Sequence, residues 1–362
     1  MADWYCDYAT GNDSTGSGAS GSPYQTIQKC IDSATRGDTI YVANTSAQVF
    51  SSALSFGTGY TAIGTGETLI TGWDNGGSLS LTVPGTAGTI PAGKIDATGL
   101  TVSWATSIQP YVTVSDMIID CGTSWQGVST NSYWNFFRCH FLSTVKTNGY
   151  VVGNSRRLIS CTVEGFGLEN VHTICNCFFN NVPAYAVYNG GSRMFGNFFL
   201  GGSSYTGASP LVDPHGTDTI IMNNTFVSPS ARTGPLLLLS GDQLVANNVF
   251  QGANGVGGSG INANSAHHLL SNNIFYDCTS NVVNDSLVRY HSPNVTASAA
   301  LYTDAGTNQW EASSEVESSF YPTGYIETST QTYKDAGAIE YLSTGGGTSY
   351  TNVASAKFTR LE

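Results

Sequence analysis

The chain has 362 residues, of which only 10% are charged, and its formal net charge is −12 at pH 7. Because nucleic-acid binding relies on clustered positive charge and no Lys/Arg cluster is present, nucleic acid is not an expected partner. The 42 glycines, together with abundant Asn, Ser and Thr, are typical of a turn-rich β protein.

The sequence contains no apolar run long enough to cross a membrane, so membrane insertion is not expected. Its first residues lead directly into polar sequence, and we expect no signal peptide in the chain as given.

Residues 1–42 are predicted to form an N-terminal cap that consists of a strand, a Gly-rich loop, a helix and a second strand. The helix is expected from Pro23 onward, because four apolar residues share one helical face: Ile27, Cys30, Ile31 and Ala34. An amphipathic helix here would close the open end of a repeat protein's core.

A five-residue pattern recurs in the middle of the chain: an apolar residue, a polar residue, Asn or Cys, any residue, then an aromatic or aliphatic one. Its central positions are 139, 161, 177, 197, 224, 248 and 273, and a weaker, earlier copy is centred on Asp116. The average spacing of about 22 residues is too short for a propeller blade, and the Leu spacing of leucine-rich repeats is missing. The pattern therefore predicts an all-β fold, a single-stranded right-handed parallel β-helix of about 10–12 coils.

Stacked coils place equivalent residues above one another, about 4.8 Å apart. We expect the ladder residues Asn197, Asn224, Asn248 and Asn273 to hydrogen-bond to one another, with five phenylalanines stacked inside: Phe179, Phe199, Phe226, Phe250 and Phe275.

Cysteine takes the place of Asn in the earlier coils, where a small thiol fits an apolar bend. A metal site is not predicted, because a ladder spreads the four cysteines along the axis instead of bringing them to one tetrahedral centre: Cys139, Cys161, Cys175 and Cys177. Buried free thiols are expected there, and Cys6 and Cys30 are the pair to test for a disulfide bridge.

The motif D-x-x-x-G-N-D, followed by S-P-Y-x-T-I-Q and G-D-T-I-Y-V, resembles the opening of pectate-lyase-like β-helix proteins. The segment D-A-G-A-I-E-Y near the other end is similar to their closing segment, so the resemblance spans about residues 3–342. It implies the β-helix for residues 43–342, and the glycines at 345–347 predict a flexible tail at 343–362. The superfamily includes polysaccharide lyases, glycoside hydrolases, phage tailspikes and proteins with no known catalysis.

Three ionisable residues each precede a ladder position by six: Asp218, Asp242 and His267. If the register holds, they form a column with neighbours about 5 Å apart, which matches the two carboxylates of a retaining glycosidase. Such a pair could equally hold Ca²⁺. The alternative is that both aspartates only stabilise turns, where Asp is favoured for local hydrogen bonding.

Asp213 and His215 lie in the longest coil, and long insertions in repeat proteins often carry binding residues. They complete the predicted catalytic group. The surrounding sequence departs from the G-H-G arrangement of polygalacturonase-like hydrolases, and the R-x-x-P-x-x-R pattern of classical pectate lyases is missing.

A second set lies four or five residues before the ladder positions: Arg156, Arg157, His172, Arg193 and His268. Arginines on such a face could bind uronate carboxylates or act as the base of a lyase, although exposed strand ends would have the same composition.

The shortest coil contains Glu164 and Glu169, a further acid pair. Nearby aromatic side chains that could stack on sugar rings are Tyr185, Tyr188 and Tyr205.

These patterns favour a carbohydrate-active protein that binds and cleaves a polysaccharide, as a secreted lyase or hydrolase or as a tailspike-like depolymerase. For the tailspike-like form a homotrimer is a possible assembly, which the sequence does not establish. The alternative is a non-catalytic virion or cell-surface protein that binds glycan or serves as a rigid spacer. Both alternatives imply an extracellular or virion-associated location. No cofactor is predicted, and calcium is left open.

Overall fold

The computed structural model describes residues 1–56, 66–83, 89–100, 105–106, 111–121, 133–142, 150–153, 156–182, 184–190, 193–203, 205–216, 218–265, 267–290, 294–297, 302–304, 310–312, 339–340 and 351–352. The chain divides into two compact units, which we call unit 1 (Met1–His172) and unit 2 (Thr173–Glu362). Apart from residues 351–352, the predicted tail at 343–362 lies outside the described residues.

Unit 1 is built from three parallel sheets. The first contains Asp3–Cys6, Thr39–Ala43, Thr68–Trp73, Tyr111–Ser115, Tyr133–Phe137 and Arg157–Ile159. The second contains Ala47–Val49, Gly93–Asp96, Met117–Asp120, His140–Leu142 and Thr162–Glu164, and the third Tyr150–Gly153 and Gly167–Glu169. Two short pairs complete it: Leu54–Ser55 with Ala105–Thr106 (parallel), and Ser80–Thr82 with Thr89–Pro91 (antiparallel).

Unit 2 repeats the three-sheet plan. Its first sheet contains Thr173–Cys175, Arg193–Phe195, Thr219–Met222, Gln243–Ala246, His268–Ser271 and Val288–Tyr290. The second contains Phe178–Val182, Phe198–Gly201, Thr225–Val227, Val249–Gln251, Ile274–Tyr276 and Val295–Thr296. The third contains Val187–Tyr188, Val212–Asp213, Pro235–Leu239, Ser259–Ala263 and Ser280–Val283. A 3-10 helix, Asp285–Leu287, and two antiparallel pairs follow: Tyr302–Asp304 with Trp310–Ala312, and Ile339–Glu340 with Thr351–Asn352.

Within each unit, the described strands of these three sheets pair in parallel with their equivalents in the next coil. This is the predicted right-handed parallel β-helix, with the handedness that parallel crossover connections adopt almost without exception. The described part of each unit's first sheet contains six strands, in keeping with the predicted number of coils.

The asparagines of unit 2 form a continuous column of buried hydrogen bonds. Oδ1 of Asn248 accepts from the amide and Nδ2 of Asn224 at 2.8 and 3.0 Å. Nδ2 of Asn248 donates to Oδ1 of Asn273 at 3.0 Å and to the carbonyl of Ile221 at 2.9 Å. The column continues to Asn294, which the sequence pattern did not identify, through 3.0 and 3.2 Å contacts from Asn273.

Cysteine thiols occupy the same position in unit 1. The Cys161 thiol donates to the carbonyl of Phe136, three residues before the ladder position of the previous coil, as the Asn248 amide does with Ile221. Cys161 also accepts from the Cys139 amide, at 3.5 Å. The thiol therefore reproduces part of the asparagine's bonding pattern with weaker contacts.

A left-handed residue directly before the ladder position produces the bend. Asn223, Asn247 and Asn272 have φ of 55°, 54° and 51°, a conformation that Asn tolerates better than most residues. The paired asparagines thus have separate roles, the first in the bend and the second in the ladder. Asp116 has φ 55° and occupies the bend, so the ladder residue of that coil is Met117 and our placement of 116 in the ladder was wrong.

The five phenylalanines stack along the core as expected. Phe199, Phe226 and Phe250 have ring centroids 5.0 and 4.8 Å apart and nearly parallel planes. Phe179 and Phe275 extend the stack at each end at 4.7 and 5.0 Å, and all five rings are fully buried.

The helix of unit 1 spans Ile27–Ser33 and buries Ile27, Cys30 and Ile31. It begins later than Pro23, because the Asp13 carboxylate binds the amides before it and the Thr26 side chain caps it by accepting from the Lys29 amide. Cys6 and Cys30 are buried free thiols, and the pKa of Cys6 is raised by burial and by its contact with Cys30.

We expect Asn248→Ala to lower the free energy of unfolding by about 3 kcal/mol or more, because it leaves buried groups in two neighbouring coils without partners. Asn248→Cys should cost less, since thiols occupy this position in unit 1. Urea titration of both variants, with the exposed Asn264→Ala as control, measures the difference. Equal stability of the Asn248→Ala and Asn264→Ala variants would contradict a stabilising column.

A second prediction concerns Asp38. Burial by itself raises the pKa of Asp38, but hydrogen bonds from the Thr35 and Ala2 amides, the Trp4 indole and the Thr35 hydroxyl outweigh it and lower the pKa to about 2. Because the folded-state pKa is depressed, the carboxylate stabilises the fold above its ordinary pKa near 4 and loses that effect as the pH falls toward 2.

Asp38→Asn should therefore lower the free energy of unfolding by about 2 kcal/mol at pH 7, and by progressively less below pH 4. Denaturant titrations at a series of pH values between pH 7 and about pH 2.5 would check this, with the exposed Asp32→Asn as control. A difference that stays constant over this range would show that the Asp38 charge does not stabilise the fold.

Candidate functional site

The column of Asp218, Asp242 and His267 forms in unit 2. Thr219 pairs with Gln243, and the next coil continues the same register, so the three residues lie directly before equivalent strand positions. His267 Nδ1 is 3.5 Å from Asp242 Oδ1, and the two side chains are 70% and 62% exposed. The column is therefore a solvent-facing set of two carboxylates and one imidazole on consecutive coils.

Backbone conformation explains why these side chains point outward. Asp218 and His267 adopt left-handed φ values of 60° and 79°, and Asp242 follows Gly241 at φ 100°. Asp and His are among the residues that tolerate this region, so each coil turns here before its strand begins.

A second constellation in unit 2 joins Asp213 and His215. His215 Nδ1 lies 2.9 Å from Asp213 Oδ1; the Asp213 side chain is only 5% exposed, whereas the His215 side chain is 51% exposed. Because an ionised carboxylate only accepts hydrogen bonds, the contact favours the neutral tautomer of His215 with the proton on Nδ1 and the lone pair on Nε2. A buried carboxylate thus orients an imidazole at the surface.

Aromatic side chains border this pair. Tyr188 lies beside Asp213 in strand register, and its ring centroid is 6.1 Å from that of His215. Tyr185 packs edge-on against Tyr188 at 5.0 Å. Flat, half-buried rings with polar tips next to an imidazole are suited to a ligand that has both apolar faces and hydroxyl groups.

The loop after Asp213 ties the pair to the neighbouring coil. The Gly216 carbonyl accepts from the Thr219 hydroxyl at 3.2 Å and from Gln243 Nε2 at 3.3 Å. His215 has φ 39°, a strained value that these contacts help to hold. The loop that carries His215 is therefore fixed to the start of the strand that follows Asp242.

His268, whose orientation the sequence pattern left open, points inward. It is fully buried, stacks in register with Gln243, and lies with Nε2 3.3 Å from the Ser265 hydroxyl. Burial lowers its pKa, so it stays uncharged at neutral pH. Because the backbone of His267 is left-handed, the alternation of inward and outward side chains shifts by one position, and His268 points inward.

Five of the predicted binding residues belong to unit 1. Arg156, Arg157 and His172 are exposed. Glu164 Oε2 lies 3.1 Å from His140 Nε2, so this carboxylate is engaged with a histidine, whereas Glu169 is half-buried in the third sheet.

Arg193 is the remaining predicted binding residue, and it belongs to unit 2. Its side chain is exposed at the start of a first-sheet strand, in register with Ile220. It therefore presents a positive charge on the outer face of that sheet.

Sequence reasoning missed Arg232, which is fully buried near the tyrosines of unit 2. Nothing in the sequence marks it, since it lies in a connecting segment outside the repeat pattern.

Across the described residues, no group of three or more His, Cys, Asp or Glu side chains is arranged to hold a metal ion. The same part of the chain contains no helix that is both long and apolar enough to span a membrane.

No family model and no curated protein matches the sequence. Among solved structures, XylC in complex with xylose matches with a TM-score of 0.50 at 10% identity, over 80% of this chain and 72% of that one. Bacteriophage CBA120 tailspike protein 3 matches with a TM-score of 0.41 at 14% identity, over 81% of this chain and 54% of that one. A GH136 lacto-N-biosidase from Eubacterium ramulus matches with a TM-score of 0.40 at 10% identity, over 82% of this chain and 68% of that one.

At these identities the likeness concerns the fold alone. The chain has the right-handed parallel β-helix fold that its repeat pattern predicted.

Proposed function

We propose that the chain binds a polysaccharide on the surface of unit 2 and cleaves it with His215 as the proton-transferring group. The observation that carries this proposal is the 2.9 Å contact between the buried Asp213 carboxylate and the half-exposed His215 imidazole. Because polysaccharides of this kind lie outside cells, the proposal implies an extracellular or virion-associated site of action.

The geometry supports general base catalysis. With its proton on Nδ1, His215 presents the Nε2 lone pair to solvent, and the Asp213 carboxylate stabilises the imidazolium that forms when Nε2 takes a proton. In a lyase that proton would come from the carbon next to a uronate carboxyl group, a C=C double bond would form as the glycosidic C–O bond breaks, and the imidazolium or water would protonate the leaving oxygen. In a hydrolase it would come from the attacking water, whose oxygen bonds to the anomeric carbon as the glycosidic C–O bond breaks and the leaving oxygen gains a proton from the imidazolium or from water. The two reactions give different products, so the assay can separate them.

The exposed column and the tyrosines supply a surface for the sugar chain. Asp218, Asp242 and His267 are spaced by one coil each, which suits hydrogen bonding to successive hydroxyl groups. Tyr185 and Tyr188 offer ring faces for the apolar sides of sugars. We assign Asp213 and His215 to the chemistry and the column to binding, with a paired-acid mechanism of Asp218 and Asp242 as the competing assignment.

The test is an activity screen on neutral and acidic polysaccharides, followed by the variants His215→Asn and Asp213→Asn. Reducing ends report any cleavage, and ultraviolet absorbance of an unsaturated product reports the lyase reaction. We expect kcat to fall about 100-fold or more in His215→Asn, because the base is lost, and to fall markedly in Asp213→Asn, because the tautomer is no longer fixed.

His140→Asn is the matched control, since His140 is a partly exposed histidine that contacts a carboxylate in unit 1. It should leave kcat unchanged. Full activity of His215→Asn on a polysaccharide that the unmodified chain cleaves would disprove the proposed base. If the chain binds a glycan but cleaves none of the panel, the non-catalytic alternative replaces the proposal.

Asp218→Asn and Asp242→Asn separate the two assignments. If the column only binds substrate, each variant should raise KM several-fold and leave kcat nearly unchanged, because uniform binding is lost. A collapse of kcat in both variants, with His215→Asn still active, would instead establish the paired-acid mechanism.

A further inference from the structure

Gln243 is a buried polar residue that links two coils of unit 2. Its side chain is almost fully buried, and it lies in register with Thr219 at the start of a first-sheet strand. Nε2 donates to the carbonyls of Gly216 and Ser240 at 3.3 and 3.4 Å. Both partners are carbonyl groups, which only accept hydrogen bonds, so the amide presents Nε2 to them and not Oε1. Gln243 therefore ties the residue after His215 to the next coil.

Two buried polar atoms on neighbouring coils have no hydrogen-bond partner among the described residues, Gln243 Oε1 and His268 Nδ1. Leu244 pairs with Leu269, so the residues before them, Gln243 and His268, stand one above the other. Neighbouring coils are about 4.8 Å apart, which is within reach of these side chains. A buried polar atom that lacks a partner costs free energy, so each of the two calls for an explanation.

Ser265 favours one tautomer of His268. Its Oγ accepts from the Gly241 amide at 2.8 Å, and it lies 3.3 Å from His268 Nε2 and 3.5 Å from the Gly241 carbonyl. The contact with Nε2 is the shorter of the two that the hydroxyl proton can make, which favours a neutral imidazole with its proton on Nδ1. Nδ1–H is then a donor and Gln243 Oε1 is an acceptor. The two atoms are therefore complementary, either directly or through one bridging water.

We infer that Gln243 and His268 are positioning residues for His215: neutral His268 orients the Gln243 amide, and the amide holds the Gly216 carbonyl and the loop that carries the proposed base. This inference rests on the proposed function and adds its regulation by pH. Neither residue touches the glycan. A proton on His268 places a charge in the core and favours a local opening in which the imidazolium reaches water, so acid releases the loop.

The surroundings of His268 set the direction of the pH effect. Burial lowers the pKa of His268 and the charge of His267 adds to this, whereas hydrogen bonding and the Asp242 carboxylate oppose it. The charged side chains of the following coil, Asp285 and Arg289, are exposed to solvent. Because the folded-state pKa lies below the ordinary value of about 6.5, neutral His268 stabilises the closed network at pH 7, and this stability is lost as the pH falls below about 6.5.

The experiment measures hydrogen exchange of two backbone amides in the full chain between about pH 7.5 and pH 5. The Gly241 amide donates to Ser265 Oγ, and the Thr219 amide donates to the Asp242 carbonyl. After correction for the intrinsic pH dependence of exchange, we expect the protection of both amides to fall about fivefold across this range.

His268→Asn keeps a donor near the position of Nδ1 but cannot be protonated, so its protection should stay constant with pH. Gln243→Met removes the link between the coils, so Gly241 should still respond to pH while Thr219 no longer follows it. His140→Asn is the matched control, because it removes a partly exposed histidine of unit 1 and should leave the response of the unmodified chain unchanged.

A purely structural role for the two residues is the competing explanation. It predicts that both variants lose stability equally at every pH and that the pH response of the amides is unaltered. On a polysaccharide that the chain cleaves, a positioning role predicts instead that Gln243→Met lowers kcat about tenfold with KM nearly unchanged, and that His268→Asn loses less activity in acid than the unmodified chain.

Protection of both amides that does not change with pH in the unmodified chain would overturn the inference. An undiminished pH response in His268→Asn would do the same. If His268→Asn does not fold, an NMR titration of the His268 ring in the unmodified chain decides: the loss of protection must follow that titration. Exchange is read without turnover, so cleavage with constant protection refutes this inference alone, and the expected exchange in a chain that cleaves nothing refutes the catalytic proposal alone.

Discussion

The parallel register between neighbouring coils is the constraint on which the rest of each unit depends. Backbone hydrogen bonds set the spacing, and the column of Asn224, Asn248 and Asn273 fixes the register from inside, because each amide satisfies groups in two coils at once. A shift by one residue would break every bond in this column and bury the wrong side chains. The fold thus tolerates changes in loop length but not in register.

The candidate site depends on this freedom in loop length. Strands fix where each loop leaves and re-enters the sheet, and the loop after Asp213 uses this freedom to turn His215 back onto the carboxylate. The same fixed re-entry points place Asp218 and Asp242 on consecutive coils. A rigid scaffold therefore presents side chains from short, strained turns, an arrangement that reduces the cost of ordering a binding surface.

The local charge in unit 2 differs from the net charge of the whole chain. The chain has a net charge of −12, yet unit 2 buries Arg232 against the Tyr205 ring, with no ion pair among the residues that the structure describes. Net charge governs long-range behaviour, which salt screens within about 10 Å, whereas a desolvated charge acts locally and is screened less.

The sequence by itself determined the coil period, the all-β fold, the column of asparagines and the stack of phenylalanines, because these depend on residues that recur in register. It also placed Asp218, Asp242 and His267 in one column. Only the tertiary structure decided which side of each turn faces solvent, since left-handed residues such as His267 shift the alternation and send His268 inward. The burial of Arg232 was likewise decided by packing between separate loops, which no local pattern encodes.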